Sequence, residues 1–247
     1  MIGGKYSKEE NLIIFNSYFD KIINEIDDDT IVVTDADETL STKDTSRIFW
    51  ENNFGEKHWQ RFHSDFVSIG RNFDGFLNAA NIYSNIDVDK YIKFCENSAK
   101  LVKLRQGWIE FIQSAPSVII VTSGLRLLWE NVIKLNGWNH VYLIGGNHFD
   151  LDNFIVDPDI KLEIVKKIHN AGKKVIAFGD SRVDAPMLLC ADIGMVVANE
   201  RQSPGLAECL LTSNSVYQLE MEEKILPGIP IESLDNIVNC YLKYNKK

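Results

Sequence analysis

Two carboxylates one residue apart, Asp35 and Asp37, follow a short apolar run and are the residues of this chain best suited to chemistry. The preceding run, Thr30–Thr34, consists only of β-branched residues, which predicts a buried strand. Ligands of open α/β sheets bind at the carboxyl ends of the strands, where these side chains would lie. One carboxylate could attack a phosphorus atom while the other handles a proton, provided that a cation offsets the local negative charge. The competing interpretation is an acidic loop with two solvated aspartates.

Two later strand ends carry polar residues of the kind that bind anions or metal ions. The segment 122–124, Thr-Ser-Gly, follows a predicted strand and begins a helix, so it offers a hydroxyl and backbone N–H groups to an anion. An ordinary helix cap is the alternative for this segment. Asp180 and Asp184 follow the strand that ends at Phe178. Together with Asp35 they could supply the oxygen ligands that Mg²⁺ prefers, Asp184 either directly or through water.

Lys161 occupies an unfavourable place for a cation. It falls in the first turn of a helix that we expect to begin at Pro158 or Asp159, where the helix dipole is already positive. A lysine at this position is easier to explain if its ammonium group points at an anion. The alternative is a solvated lysine.

Strands and helices alternate along most of the chain, which predicts parallel βαβ units in a doubly wound sheet. The predicted strands are 30–34, 117–122, 141–144, 174–178, 193–197 and 216–219. The segment 41–103 departs from this alternation because its apolar residues recur only at helical spacing, with breaks near 53–55, 70 and 85. An insertion directly after the Asp35 strand would lie above the carboxyl ends of the sheet, in the position of a lid.

Three further elements are expected outside these strands. Ser7, with Glu10 three residues later, predicts the capped start of a helix that continues to about residue 26. We also expect a hairpin through 148–156 and a closing helix over 231–244.

The composition limits the classes of function. A length of 247 residues with 45% hydrophobic content allows one large core, or one core with an inserted subdomain. A net charge of −9 without a basic cluster argues against a nucleic-acid partner. The basic and aromatic stretch 57–63 has helical spacing and favours a solvated helix face. No apolar run approaches the roughly 18 residues of a membrane helix, so no membrane partner is expected.

The cysteines and histidines bear on the cellular location of the protein and on whether it binds zinc. The four cysteines are widely spaced, which predicts reduced thiols in a cytoplasmic protein. The five histidines form no set with metal-ligand spacing, which argues against zinc.

Taken in chain order, these segments resemble the haloacid dehalogenase (HAD) superfamily of aspartyl-phosphate enzymes. Its short motifs match Asp35–Leu40, the strand end at Thr122, Lys161 and Gly179–Asp184, and the resemblance spans roughly residues 30–200. It implies an α/β fold, a HAD-like Rossmannoid doubly wound parallel sheet with an inserted all-helical cap subdomain. Residues 1–40 and 104–247 would form the catalytic core. Residues 41–103 would form a helical cap of the C1 type, as in the phosphoserine phosphatase branch.

The resemblance implies a role for each catalytic residue. Asp35 would be the nucleophile that takes the phosphoryl group. Asp37 would be the general acid that protonates the leaving oxygen and then the base that activates water. Lys161 would offset the negative charge that Asp35 shares with the phosphate, which accounts for its unfavourable position.

The same resemblance implies Mg²⁺ as the cofactor. The ion would be held by the side chain of Asp35, the backbone carbonyl of Asp37 and the side chain of Asp180, with Asp184 as a direct or water-mediated ligand. The phosphate would be bound by Thr122, Ser123 and Gly124.

Three cap residues are expected to meet the substrate. Asp44 stands where the phosphoserine phosphatase branch usually has a glutamate that faces the substrate. Asn78 stands where that branch has an arginine that binds a carboxylate, and Arg71 lies nearby in a different register. Asparagine cannot form the bidentate ion pair that arginine forms with a carboxylate, which argues against phosphoserine itself as the substrate.

The predicted function is a Mg²⁺-dependent phosphatase acting on a small phosphorylated metabolite. A phosphotransferase or phosphomutase is the nearest alternative because its first half-reaction is the same. A non-catalytic binding or regulatory protein of the same fold is a third possibility, since fold does not determine function. Dehalogenation ranks below phosphoryl transfer because a dehalogenase needs no proton donor at the position of Asp37. The sequence does not specify the oligomeric state.

Overall fold

A parallel sheet forms the centre of the computed structural model, which describes residues 6–146, 148, 151–199, 205–211, 213–219 and 225–237. Its strands are β1 (Thr30–Asp35), β2 (Val118–Thr122), β3 (Val141–Gly145), β4 (Lys174–Gly179), β5 (Ile193–Val196), β6 (Val216–Leu219) and β7 (Ile231–Glu232). They form one seven-stranded sheet in the order β3-β2-β1-β4-β5-β6-β7, and every neighbouring pair is parallel. The predicted doubly wound α/β fold is thereby confirmed.

Helices cover both faces of the sheet. They are α1 (Lys8–Glu25), α2 (Thr45–Phe54), α3 (Glu56–Ile69), α4 (Phe73–Ser84), α5 (Val88–Ala99), α6 (Trp108–Ser114), α7 (Arg126–Leu135), α8 (Pro158–Asn170), α9 (Ala185–Cys190), α10 (Leu206–Leu210) and α11 (Leu234–Ile237). In the part of the chain that the structure describes, none of them is both long and apolar enough to cross a lipid bilayer.

The strands supply two hydrophobic cores because successive side chains point to opposite faces. Ile31 and Val33 of β1 pack with α1 and α8, whereas Val32 packs with α6 and α7. Every residue of β1 is buried, as expected of a central strand in a parallel sheet.

The order in which the chain adds strands to the sheet switches from one side of β1 to the other. The chain runs from β1 through β2 to β3 on one side, then crosses to β4 on the other side of β1. Crevices at such a switch point are where open α/β sheets bind their ligands. The carboxyl ends of β1 and β4 are therefore the place to look for a site.

The helices α2–α5 form the whole of the chain between β1 and α6, apart from their connections. Gly55 and Gly70, at two of the predicted breaks, have φ values of +89° and +106°, which side chains other than glycine adopt with strain. The two segments that lead into and out of this helical block run side by side, since Ser41 and Leu104 form an antiparallel bridge.

Two elements differ from the sequence-based expectation. The predicted hairpin over 148–156 is wrong for the residues described there, because 151–157 contain no strand. Backbone groups of this segment bond to side chains and not to a neighbouring strand. The side-chain amide of Asn11 donates to the carbonyl of Ile155 (3.1 Å) and accepts from the N–H of Ile155 (2.9 Å). In the same loop, Asp152 accepts from the N–H of His148.

The predicted closing helix is also wrong at its start. Residues 231 and 232 form β7, because β6 has a free edge with which this segment pairs, and Gln218 donates its N–H to the carbonyl of Pro230 at 2.7 Å. The helix α11 begins at Leu234, and residues 238–244 of the prediction lie outside the described part of the chain. The capped first helix is confirmed, with Ser7 and Glu10 exchanging both hydrogen bonds of a capping box.

Candidate active site

The predicted acidic residues come together at the switch point of the sheet. Asp35 is the last residue of β1, and Asp180 directly follows β4, the strand hydrogen-bonded to β1. Asp35, Asp180 and Asp184 each offer a carboxylate oxygen, and these oxygens lie within 4.8 Å of one another. All three side chains are buried.

Lys161 supplies positive charge inside this acidic cluster. The residue is 1% exposed, and its Nζ lies 2.5 Å from Oδ1 of Asp35 and 2.6 Å from Oδ1 of Asp184. Burial alone would lower the pKa of Lys161, but the carboxylates of Asp184 and Asp35 outweigh it and hold that pKa above its ordinary value. The ammonium group is therefore charged, and it points at the carboxylates of Asp35 and Asp184.

The single positive charge of Lys161 does not balance the negative charge of the carboxylates in this cluster. Burial raises the pKa of Asp35 to about 8, against the attraction of Lys161 and with repulsion from Asp184 and Asp37 adding to the rise. Burial and the charge of Asp35 likewise hold the pKa of Asp180 well above its usual range. A buried cluster of this kind is stable in its ionised form only when a further cation joins it.

These residues fit a divalent metal ion. The donor set is carboxylate oxygen, which suits Mg²⁺, and its negative charge exceeds that of its lysine partner. Asp184 has both oxygens engaged, Oδ1 by Lys161 and Oδ2 by the N–H (2.9 Å) and the hydroxyl (2.8 Å) of Ser181. Its position therefore favours contact with an ion through water over direct ligation.

Asp37 lies in a separate hydrogen-bond network next to the cluster. Its Oδ1 accepts from the N–H of Thr45 at 2.7 Å. Its Oδ2 accepts from the hydroxyl of Thr122 at 3.0 Å and from the indole N–H of Trp129 at 3.4 Å. Burial, with the nearby charge of Asp44, raises the pKa of Asp37 to about 6 in spite of these donors. A carboxyl group with such a pKa can give and take a proton near neutral pH.

The segment after β2 faces Asp37. The hydroxyl of Thr122 also accepts from the N–H of Gly124 at 2.9 Å. A side chain at position 124 is excluded, because a Cβ atom there would lie 2.7 Å from Oδ2 of Asp37. The hydroxyl of Ser123 is buried at the cavity and has no hydrogen-bond partner among the described residues, so it is available to a bound oxygen.

A cleft of about 120 Å³ joins these groups to the helices α2–α4. Asp35, Asp37, Lys161 and Asp180 line its inner end together with Ser123 and Gly124. Of the predicted cap residues, Asp44 and Arg71 line the cleft and Asn78 does not. Asn78 follows the lining residue Phe76 by two positions, about 200° around the helix, so the structure does not bring it to the cleft beside Asp44 and Arg71.

The stretch 57–63 is only partly the solvated face that its spacing predicts. Lys57 and Arg61 are exposed, but Trp59 and His63 line the cleft. Trp59 and His63 are four residues apart and therefore share one face of α3, which was a usable signal in the sequence.

Three further residues contact the site, and the sequence alone assigned no role to them. The hydroxyl of Thr39 (3.3 Å) and the amide of Asn199 (3.0 Å) both donate to Asp180. Arg105, which is buried, donates to the carbonyl of Glu38 through Nε at 3.2 Å and Nη2 at 3.1 Å. Thr39 lies inside the first motif and Asn199 follows the end of β5, so both positions carried a signal, whereas Arg105 carried none.

A Rossmannoid sheet with aspartates at the ends of β1 and β4 and a buried lysine between them defines a class of α/β proteins that carry a charged site at the strand ends. Residues 32–189 match the family of haloacid dehalogenase-like hydrolases. This match covers more than half of the chain, and the chain belongs to that family.

Solved structures agree on the fold. A phosphoserine phosphatase carrying an analogue of its phospho-aspartyl intermediate superposes with a TM-score of 0.55 at 16% identity, over 85% of this chain and 97% of that one. A substrate-bound phosphoserine phosphatase gives 0.56 at 15% identity over 85% and 97%. A HAD family hydrolase from Salmonella enterica subsp. enterica serovar Typhi gives 0.56 at 14% identity over 83% and 77%.

A distant relative shares part of the sequence. The potassium-transporting ATPase ATP-binding subunit 2 of Nostoc sp. is 30% identical over 95 residues, which are 34% of this chain and 13% of that protein. The chain therefore spans only a small part of this relative.

Proposed function

We propose that this protein is a Mg²⁺-dependent phosphatase that hydrolyses the phosphomonoester of a small metabolite by way of a phosphoryl group carried on Asp35. The observation that carries the proposal is the separation of roles between two adjacent carboxylates. Asp35 lies 2.5 Å from the buried ammonium of Lys161, while Asp37 is held apart by Thr45 and Thr122. Both open into the same cleft.

In the first step, a carboxylate oxygen of Asp35 forms a bond to phosphorus as the ester P–O bond breaks. The leaving oxygen takes the proton of Asp37, whose raised pKa keeps part of that carboxyl protonated near neutral pH. Lys161 and Ser123, which both line the cleft, would stabilise the negative charge of the phosphoryl oxygens.

In the second step, Asp37 takes a proton from a water molecule that attacks the phosphorus. The bond between Asp35 and phosphorus breaks, and inorganic phosphate leaves. The side chains of Asp35 and Asp180, the carbonyl of Asp37 and, through water, Asp184 would hold Mg²⁺, which supplies the positive charge that the acidic cluster lacks.

The helical block α2–α5 would act as a cap over this site. Its residues Asp44 and Arg71 line the outer part of the cleft, which supports a role in choosing the leaving group. A cap over the site would exclude large substrates, so we propose a metabolite and not a phosphorylated protein. We also propose a cytoplasmic location, which agrees with the unbridged thiols of Cys95 and Cys190.

The test is release of inorganic phosphate from a panel of phosphomonoesters, first with Mg²⁺ and then with EDTA. We expect release that depends on the metal, and a loss of at least about a thousandfold in kcat for Asp35→Asn, because amide nitrogen and oxygen cannot replace the nucleophile. Asp27→Asn is the matched control, since Asp27 is an exposed aspartate upstream of β1. Absence of release from every ester, or wild-type turnover by Asp35→Asn, would contradict the proposal. Formation of a new phosphate ester when alcohols are added would instead indicate a phosphotransferase.

A further inference from the structure

The outer part of the cleft is lined mainly by aromatic rings, a feature that concerns the leaving group and rests on the proposed function. Trp59, Phe62 and Phe66 come from α3 and Phe76 from α4, with Ala79 beside them. We call Trp59, Phe62, Phe66 and Phe76 the aromatic wall. None of them is needed to bind a phosphoryl group, which the polar residues at the inner end already surround.

The rings of the aromatic wall pack against one another and against Trp50. Phe62 stacks on Trp50 with ring centroids 5.2 Å apart and lies parallel to Phe66 at 6.4 Å. Phe66 contacts Phe76 at 5.3 Å, and Trp59 lies 6.1 Å from Phe62. Rings fixed in this way can bury apolar surface of a substrate at little further cost in side-chain entropy.

The charges on this side of the cleft disfavour an anionic leaving group. Among the described residues that line this part, Glu38 and Asp44 are acidic and Arg71 is basic. A carboxylate on the substrate would add to this negative excess.

We propose that the substrate is a phosphomonoester whose leaving alcohol has an apolar, ring-sized body and carries no carboxylate. The phosphoryl group would occupy the inner, polar end of the cleft, and the apolar body would lie against the aromatic wall.

Three esters of primary alcohols that share an O–CH2 group test this assignment. Benzyl phosphate replaces the methyl group of ethyl phosphate by a phenyl ring, and phosphoglycolate replaces it by a carboxylate. We expect kcat/KM for benzyl phosphate to exceed that for ethyl phosphate by about tenfold or more, as burial of a ring implies. Phosphoglycolate should be turned over less efficiently than ethyl phosphate.

Variants of the aromatic wall assign the preference to these residues. Trp59→Ala should lower the ratio of kcat/KM for benzyl phosphate to kcat/KM for ethyl phosphate by about fivefold or more. Trp59→Phe, which keeps a ring, should retain most of the preference. Val67→Ala is the control on the same helix, since Val67 is 54% exposed and does not line the cleft, and it should leave both values unchanged.

The outcomes separate this inference from the proposed function. Phosphate release without a preference for benzyl phosphate, or a preference unaffected by Trp59→Ala, would overturn the inference and leave the phosphatase intact. If no ester released phosphate, the proposed function would fall, and calorimetric binding of benzyl and ethyl phosphate to the wild-type protein would decide the inference. Equal affinity for the two esters would then overturn it, and tighter binding of benzyl phosphate would support it.

Discussion

At the scale of single residues, the site is defined by an excess of buried negative charge. Asp35 and Asp184 share Lys161 as an ammonium partner, and an oxygen of Asp180 lies within 4.8 Å of oxygens of both. Lys161 bonds to Asp35 and Asp184, and Asp180 accepts from the neutral donors Thr39 and Asn199. The residue types thus indicate chemistry that needs an added cation, and they also determine how stability depends on pH.

The metal-free protein should lose stability as the pH rises. The pKa of Asp35 is raised in the folded state from 3.8 to about 8, so the folded protein binds a proton there that the unfolded chain has released. The stabilisation from that proton is complete below the unfolded pKa and is lost as the pH rises through about 8. The raised pKa of Asp180 acts in the same direction. Thermal unfolding in EDTA should therefore give a Tm that falls between about pH 5 and pH 8.5.

Asp35→Asn supplies the control for this titration. The variant lacks the ionisable group, so its Tm should fall less steeply over the same range and should exceed that of the wild type at the alkaline end. Mg²⁺ should raise the Tm of the wild type more than that of the variant, because the ion is bound by the folded state. Equal slopes for the two proteins would show that Asp35 does not titrate in this range.

At the scale of elements, the turn after β1 is held by the segment that returns from the helical block. Glu38 has a φ of +58°, the only positive value at a residue other than glycine among those described. Its carbonyl accepts two hydrogen bonds from Arg105, and the N–H of Arg105 donates to the carbonyl of Leu40 at 2.8 Å. Arg105 therefore stabilises a strained backbone conformation that lies between Asp37 and the entrance to α2.

Arg105 should act as a positioning residue for Asp37. Arg105→Lys removes the two-pronged donor while keeping the charge, and we expect kcat to fall by about ten- to a hundredfold as Asp37 loses its alignment, with KM changed by less than about threefold. Steady-state phosphate release separates the two constants. Lys103→Ala, at an exposed neighbouring position, is the control. A rise in KM with unchanged kcat would show that Arg105 serves substrate binding instead.

At the scale of the whole molecule, the packing of α2–α4 over the edge of the sheet decides which residues meet the substrate. Arg71 lies just before α4 and Asn78 lies in the middle of that helix, and of the two only Arg71 lines the cleft. Trp59 and His63 also reach the cleft from α3. The outer surface of the site is thus made by residues of α2, α3 and α4 and of the segments that connect them.

This packing gives Arg71 and Asn78 different effects on selectivity. Arg71→Ala should lower kcat/KM for phosphoglycolate relative to ethyl phosphate by about fivefold, because it removes the guanidinium from the outer part of the cleft. Asn78→Ala should change that ratio by less than about twofold. The comparison needs only competitive turnover of the two esters by each variant. An equal shift in both variants would place Asn78 at the substrate after all.

The amino-acid sequence by itself determined the order and type of most elements and the positions of Asp35, Asp37, Thr122 and Asp180 at strand ends. These are local properties, because a few neighbouring residues are enough to show the side-chain period of a strand or helix and the residue that follows the strand. The parallel sheet then follows from the alternation of strands and helices, and it brings the strand ends together whatever the loops do.

Only the tertiary structure decided the contacts that depend on distant segments. That Asn199 and Thr39 meet at Asp180, that Arg105 binds the carbonyl of Glu38, and that Trp59 enters the cleft while Asn78 does not all depend on how separate elements pack. The same holds for the loop that replaced the predicted hairpin, since its backbone partners come from the side chain of Asn11 on α1. Local periodicity shows that a helix has an apolar face, but which helix surface meets the sheet edge is settled by long-range packing of the whole chain.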